Sequence, residues 1–153
     1  MTEERAEGAL DYWYWHAAND AVRGQNPAAG APFTHVVPGT SIQELVSVSF
    51  TYTASSGAAN RVPLIRFLDA GGEAFAECGA PFTITASQHS RVTFALDIVQ
   101  FGANNSARMG CAIPPMKLAD GLRWQVTADA IAVADQISAV AFFVRQWPIR
   151  IDQ

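Results

Sequence analysis

Three histidines, two cysteines and a scatter of carboxylates are the side chains that could do chemistry here, and their spacing assigns them none. His16, His35 and His89 stand too far apart for an H-x-H or H-E-x-x-H arrangement, which brings two imidazoles onto one metal ion. Cys78 and Cys111 form no C-x-x-C pair of the kind that holds zinc. Two cysteines are too few for a disulfide framework, so each is expected to be a buried free thiol. The serines of "PGTS" and "ASSG" lie in turns without a partner base, and neither a G-x-S-x-G elbow nor a G-x-x-x-x-G-K-[ST] phosphate loop occurs. Asp129 with Asp135, and Asp69 with Glu73, flank short connections. Such pairs can ligate Ca²⁺, but Asp that bonds its own backbone in a turn explains them better. The expectation is a chain that is no enzyme, binds no metal and needs no cofactor.

What remains is contact. The stretch "DYWYWHAAND", Asp11 to Asp20, holds Tyr12, Trp13, Tyr14 and Trp15 in four consecutive positions. In an extended chain Leu10, Tyr12, Tyr14 and His16 share one side, and Trp13 and Trp15 share the other. Neither side is polar enough to face water, so one side is expected on the domain and the other on a neighbour. Interfaces draw on Trp, Tyr and Arg. Tyr12, Trp13, Tyr14, Trp15 and, near the C-terminus, Trp147 are the candidate partner-binding residues. Two other readings stay open. The stretch can be an ordinary buried strand, or Trp13, Trp15 and Trp147 can stack on sugar rings as a carbohydrate-binding platform.

Composition bounds the rest. The chain has 153 residues, 50% apolar and 16% charged, which suits one globular domain with a substantial core. Its formal charge is −4, with no basic cluster, which argues against a nucleic-acid surface. "MTEERAE" is charged and polar where a secretory signal needs an apolar run, so synthesis in the cytosol is expected. No stretch has the length of a membrane span. "NNS" at Asn104–Ser106 matches a glycosylation acceptor but carries no weight without such a signal.

The elements that must position these residues read as strands. Residues 1–30 are expected to form an N-terminal arm or edge strand with a linker, and residues 31–153 the main domain. "RGQNPAAGAPF", rich in Pro and Gly, is expected to be a flexible connection. In "LVSVSFTYT", Val46, Val48, Phe50 and Tyr52 alternate with Ser and Thr, the period-two pattern of a half-buried strand. "RVTFALDIVQF" and "GLRWQVTA" repeat the pattern. Pro63 in "RVPLIRFLD" suggests an edge or a bulge. "DAGGE" is a hairpin turn. "QISAVAFFVRQW" is apolar on both sides, as in a strand buried on both faces. "AANDAVRG" can accommodate a short helical turn. About nine short strands at intervals of roughly ten residues predict an all-β, antiparallel β-sandwich, jelly-roll-like, with an N-terminal arm.

Two long segments carry a resemblance. They are "HVVPGTSIQELVSVSFTYTASSGAANRVPLIRFLDAGGE", which includes Asn60-Arg61-Val62-Pro63, and "IPPMKLADGLRWQVTADAIAVADQISAVAFFVRQW". Over residues 33–148 the chain resembles small virion proteins of tailed bacteriophages, in which an Asn-Arg-Xaa-Pro strand, a Leu-Xaa-Asp-Gly hairpin and a final strand after an Asp-Gln pair recur. The resemblance implies a decoration or cement protein on a capsid. It implies the major capsid protein or other virion proteins as partners, a homo-oligomer with a trimer favoured, and no nucleic acid or membrane. It supplies no catalytic residues, and Arg145-Gln146-Trp147 replaces the acidic ending expected after the last strand.

Overall fold

The structure, a computed structural model, describes residues 18–148. These hold ten strands and no helix: β1 (Ala18–Arg23), β2 (Phe33–Val36), β3 (Ser41–Thr53), β4 (Val62–Leu68), β5 (Ala74–Gly79), β6 (His89–Ala95), β7 (Arg108–Ala112), β8 (Lys117–Leu118), β9 (Arg123–Asp129) and β10 (Gln136–Pro148). They form a β-sandwich. The larger sheet runs β1-β10-β3-β6-β7, with β8 also pairing β3, and the smaller runs β2-β9-β4-β5. No described helix is long and apolar enough to cross a membrane.

The alternation seen in the sequence builds the core. Val48, Phe50 and Tyr52 of β3 face inward beside Phe94, Val92 and Ser90 of β6, their partners in register. From the smaller sheet, Ile65 and Phe67 of β4 meet Val126 and Trp124 of β9. All these side chains are buried, and each large apolar one contributes about 1.5–3 kcal/mol on leaving water. Phe33 and His35 of β2 close one lateral edge over Trp124 and Phe142, with His35 4.8 Å from the Phe142 ring.

Several expectations are corrected. "ANDAVR" is strand β1, paired with β10 from Ala18–Gln146 to Arg23–Ala141, not a helical turn. β4 is interior, between β9 and β5. Pro63 is tolerated there as the second residue of β4, paired with Ala128 of β9 but one residue before the Leu64–Gly79 pair where β5 begins to run alongside. β10 buries only one face, with Ile137, Val140, Phe142 and Val144 inward. Register shifts between Ser138 and Ala141 and between Phe143 and Val144 break its alternation, which is why the sequence looks apolar on both sides. β6 and β7 are parallel, because residues 96–107 carry the chain back along the sandwich edge. Within that crossover Phe101 bridges Gly110 on the outer side of β7. The connection before β2 has no regular structure, yet it is tied down rather than free. Gln136 donates to the Pro27 carbonyl, Asn26 accepts from the Ala139 N–H, and the Gly30 N–H donates to the Asp135 carbonyl. Gly30 has a φ of 76° and a Cβ there would lie 2.8 Å from the Val133 carbonyl oxygen, so this turn requires glycine.

Candidate functional site

The aromatic calls divide at the boundary of the described residues. Tyr12, Trp13, Tyr14 and Trp15 lie outside them. Trp147 lies at the end of β10, half-buried, in register with Ile42 of β3. β8 pairs with β3 at Gln43 and Glu44, and from it the Lys117 ammonium reaches over the Trp147 indole, 5.0 Å from the ring centroid. Around this corner Arg145 donates to Glu44 at 3.0 Å, and a chain of amides runs from His35 to Gln43 to Gln146 at 2.8 Å each. β1 begins at the same corner, since Ala18 pairs with Gln146. Of the four tryptophans and three tyrosines, Trp124 and Tyr52 are buried in the core. The other five are the five named as partner-binding.

A groove of about 370 Å³ crosses the outer face of the larger sheet, lined by Ala21, Arg23, Ser47, Ser49, Ala141 and Phe143 among others. These are small side chains around one aromatic ring. They offer shape and a single cation but no acid–base pair.

The opposite end of the sandwich holds a buried ionic network that sequence reasoning missed. Arg61 and Asp135 are both fully buried, with Nε 2.9 Å from Oδ2. Every acceptor site on the carboxylate is filled. Oδ2 also receives the Tyr52 hydroxyl at 2.5 Å and the Ala132 N–H at 2.9 Å. Oδ1 receives the Ser55 N–H and hydroxyl, each at 2.8 Å, and Arg61 Nη2 at 3.1 Å. Arg61 Nη1 donates to the Ala59 carbonyl. Burial pushes the Asp135 carboxyl up, but the bonds from Arg61, Tyr52, Ala132 and Ser55 outweigh it and hold the group well below the usual carboxylate range. Burial and then Asp135 push the Tyr52 phenol well above its ordinary value. The hydrogen bond to Asp135 keeps Arg61 charged despite its burial.

This network corrects the calcium alternative at Asp135, because a carboxylate with six donors has no lone pair for a cation or for proton abstraction. Asp129 is exposed and takes no part. Asp69 and Glu73 form the turn instead: Asp69 Oδ1 accepts the Glu73 N–H at 2.9 Å. Among the described residues no group of three or more His, Cys, Asp or Glu is placed to hold a metal ion. His35 packs among aromatics, His89 is exposed on β6, and His16 lies outside the described residues. Both members of the network stand in the sequence, Arg61 in Asn-Arg-Val-Pro and Asp135 in the Asp-Gln pair. Nothing in the chain order says that the two pairs meet.

No protein-family model and no curated protein matches the sequence. Among solved structures, the chain resembles a chain of "Structure of infectious bursal disease virus Gt strain" at 12% identity, covering 86% of this chain and 31% of that one, with a TM-score of 0.31. The matching chain of the Gx strain gives 12% identity, 87% and 40% coverage, and a TM-score of 0.28. This chain spans less than half the length of those chains. Overlaps of this size leave the function to be argued from the chain's own residues.

Proposed function

We propose that this chain is a structural protein of a tailed-bacteriophage particle, decorating or cementing the capsid through protein–protein contacts made at the corner where β1 and β10 meet. One observation carries the reading. β1, which follows the Tyr12 to Trp15 stretch in the chain, begins with the Ala18–Gln146 pair, beside Trp147, a half-buried aromatic at one end of the larger sheet. Tyr and Trp side chains commonly dominate binding energy at interfaces. The buried carboxylate, the group most suited to catalysis by its setting, is saturated with donors, which supports contact over conversion. The partner is the major capsid protein or another virion protein, and the protein acts as a homo-oligomer, a trimer matching local threefold positions of a capsid lattice.

Cryo-electron microscopy of the native particle tests the reading. The expected density is a β-sandwich on the capsid exterior, touching it near Trp147 and in mutual contact with its copies. A particle that lacks the chain overturns the virion role, and isolated single copies overturn the oligomer.

A further inference from the structure

Cys78 and Cys111 are far apart in sequence but come from the two strands that close the same side of the sandwich. Cys78 lies on β5, the outer strand of the smaller sheet, and Cys111 on β7, the outer strand of the larger. Both side chains point inward. Cys78 shares its face with Ile65, its register partner, and Cys111 with Phe94, and both partners are fully buried core residues. The Cys111 thiol reaches across the gap to the carbonyl of Gly79, the residue next to Cys78, at 3.8 Å. Cys78 is half-buried and Cys111 buried, so Cys78 is the more accessible of the two.

We propose that Cys78 and Cys111 are a modification site that closes into an inter-sheet disulfide when the folded chain meets a low-molecular-weight disulfide. The Cys78 thiolate attacks one sulfur of the oxidant, forming a mixed disulfide and expelling one thiolate. The Cys111 thiolate then attacks Cys78 Sγ and expels the second. The two cysteines lose two electrons and two protons, the oxidant's S–S bond is broken, and both of its halves leave as thiols. Burial raises both thiols above the ordinary cysteine value, and Glu77 adds to this at Cys78. A reducing compartment keeps the pair reduced, and outside it closure is slow because little of either thiol is ionised. The bond would staple β5 to β7, which no backbone ladder joins.

The test incubates the full chain, folded, with oxidised glutathione and follows free thiols, intact mass and melting. The expected result is loss of both thiols together, a mass lower by two hydrogens, and a Cys78–Cys111 cross-linked peptide. The rate should increase with pH. Closing a loop of this length should raise the melting temperature by about 10 °C. In Cys78→Ala the oxidant should leave the Cys111 thiol free and the melting temperature unmoved. Two thiols that persist, a glutathione adduct on Cys78 that Cys111 never displaces, an intermolecular dimer, or a cross-link formed only in denaturant each overturns the proposal.

Discussion

Arg61 and Asp135 stand 74 residues apart in the chain and meet inside the sandwich with Nε 2.9 Å from Oδ2, neither side chain touching solvent. Arg61 precedes β4 in the smaller sheet and Asp135 precedes β10 in the larger, so the pair ties one sheet to the other. Tyr52 and Ser55, at and just beyond the end of β3, complete the cluster. Asp135 also accepts the Gly30 N–H through its backbone, which brings the connection before β2 into the same knot. Desolvation makes such a pair costly to bury, and the six bonds on the carboxylate are what offsets the cost.

Removing one member should hurt more than removing both. Arg61→Leu leaves a buried carboxylate without its counter-charge and should destabilise the fold by about 3–5 kcal/mol. Arg61→Leu combined with Asp135→Leu should cost clearly less than the sum of the two single changes. Denaturant unfolding of the three variants measures this, and additive losses would mean the two side chains are not energetically coupled.

The same cluster sets a pH window. The folded-state Asp135 carboxyl is held below its unfolded value, so its contribution is complete above the ordinary Asp range, about pH 4, and is lost as pH falls below it. Tyr52 is raised, so its contribution is complete below the ordinary Tyr value, about pH 10, and is lost as pH climbs above it. Stability from this network should be flat between those limits. Asp135→Asn should be destabilised at neutral pH and lose less than the native chain on acidification. An acid limb that is equally steep in both would place the acid sensitivity elsewhere.

The sequence made the strands legible and the network invisible for one reason. Alternation is a local property, so Val48, Phe50 and Tyr52 announce an inward face within a few residues. The partners of Arg61 and the bulge near Ala139 depend on which strands become neighbours, and short-range pattern does not carry that. The bulge matters most at β10, where it turned a one-faced strand into a run that looked apolar throughout. Trp147 was visible as a late aromatic, but its place beside the entry of β1 follows only from the Ala18–Gln146 register.

The outer side of β7 is protected at one point by packing against glycine. A Cβ on Gly110 would lie 2.6 Å from Phe101 Cε1 and equally close to the Thr93 carbonyl oxygen, and both neighbours are held in backbone bridges or ladders. Gly110→Ala should therefore destabilise by about 1–3 kcal/mol through overpacking. Phe101→Ala, which opens one side of the site, should recover part of that loss in the double variant. Thermal melting of the two singles and the double decides it, and a neutral Gly110→Ala would show that the Phe101 segment moves aside freely.

The docking role of the aromatic segment can be separated from a folding role by one pair of substitutions. Trp13 and Trp15 lie outside the described residues, whereas the core tryptophan, Trp124, is fully accounted for inside the sandwich. If the segment is an interface anchor, Trp13→Ala with Trp15→Ala should leave the melting curve nearly unchanged. Binding of the full chain to undecorated particles should then fall. Losing a central Trp at an interface commonly costs ~2 kcal/mol or more, which is over tenfold in affinity. Trp147→Ala should weaken binding in the same assay, because Trp147 stands beside the start of β1, and it should also remove the ring over which the Lys117 ammonium sits. A collapse of the melting temperature in the Trp13/Trp15 variant would make the stretch an ordinary buried strand. Intact folding and intact particle binding, with lost affinity for a polysaccharide, would instead make it a sugar platform. Each of the three outcomes moves a different measurement, so a single set of variants distinguishes them.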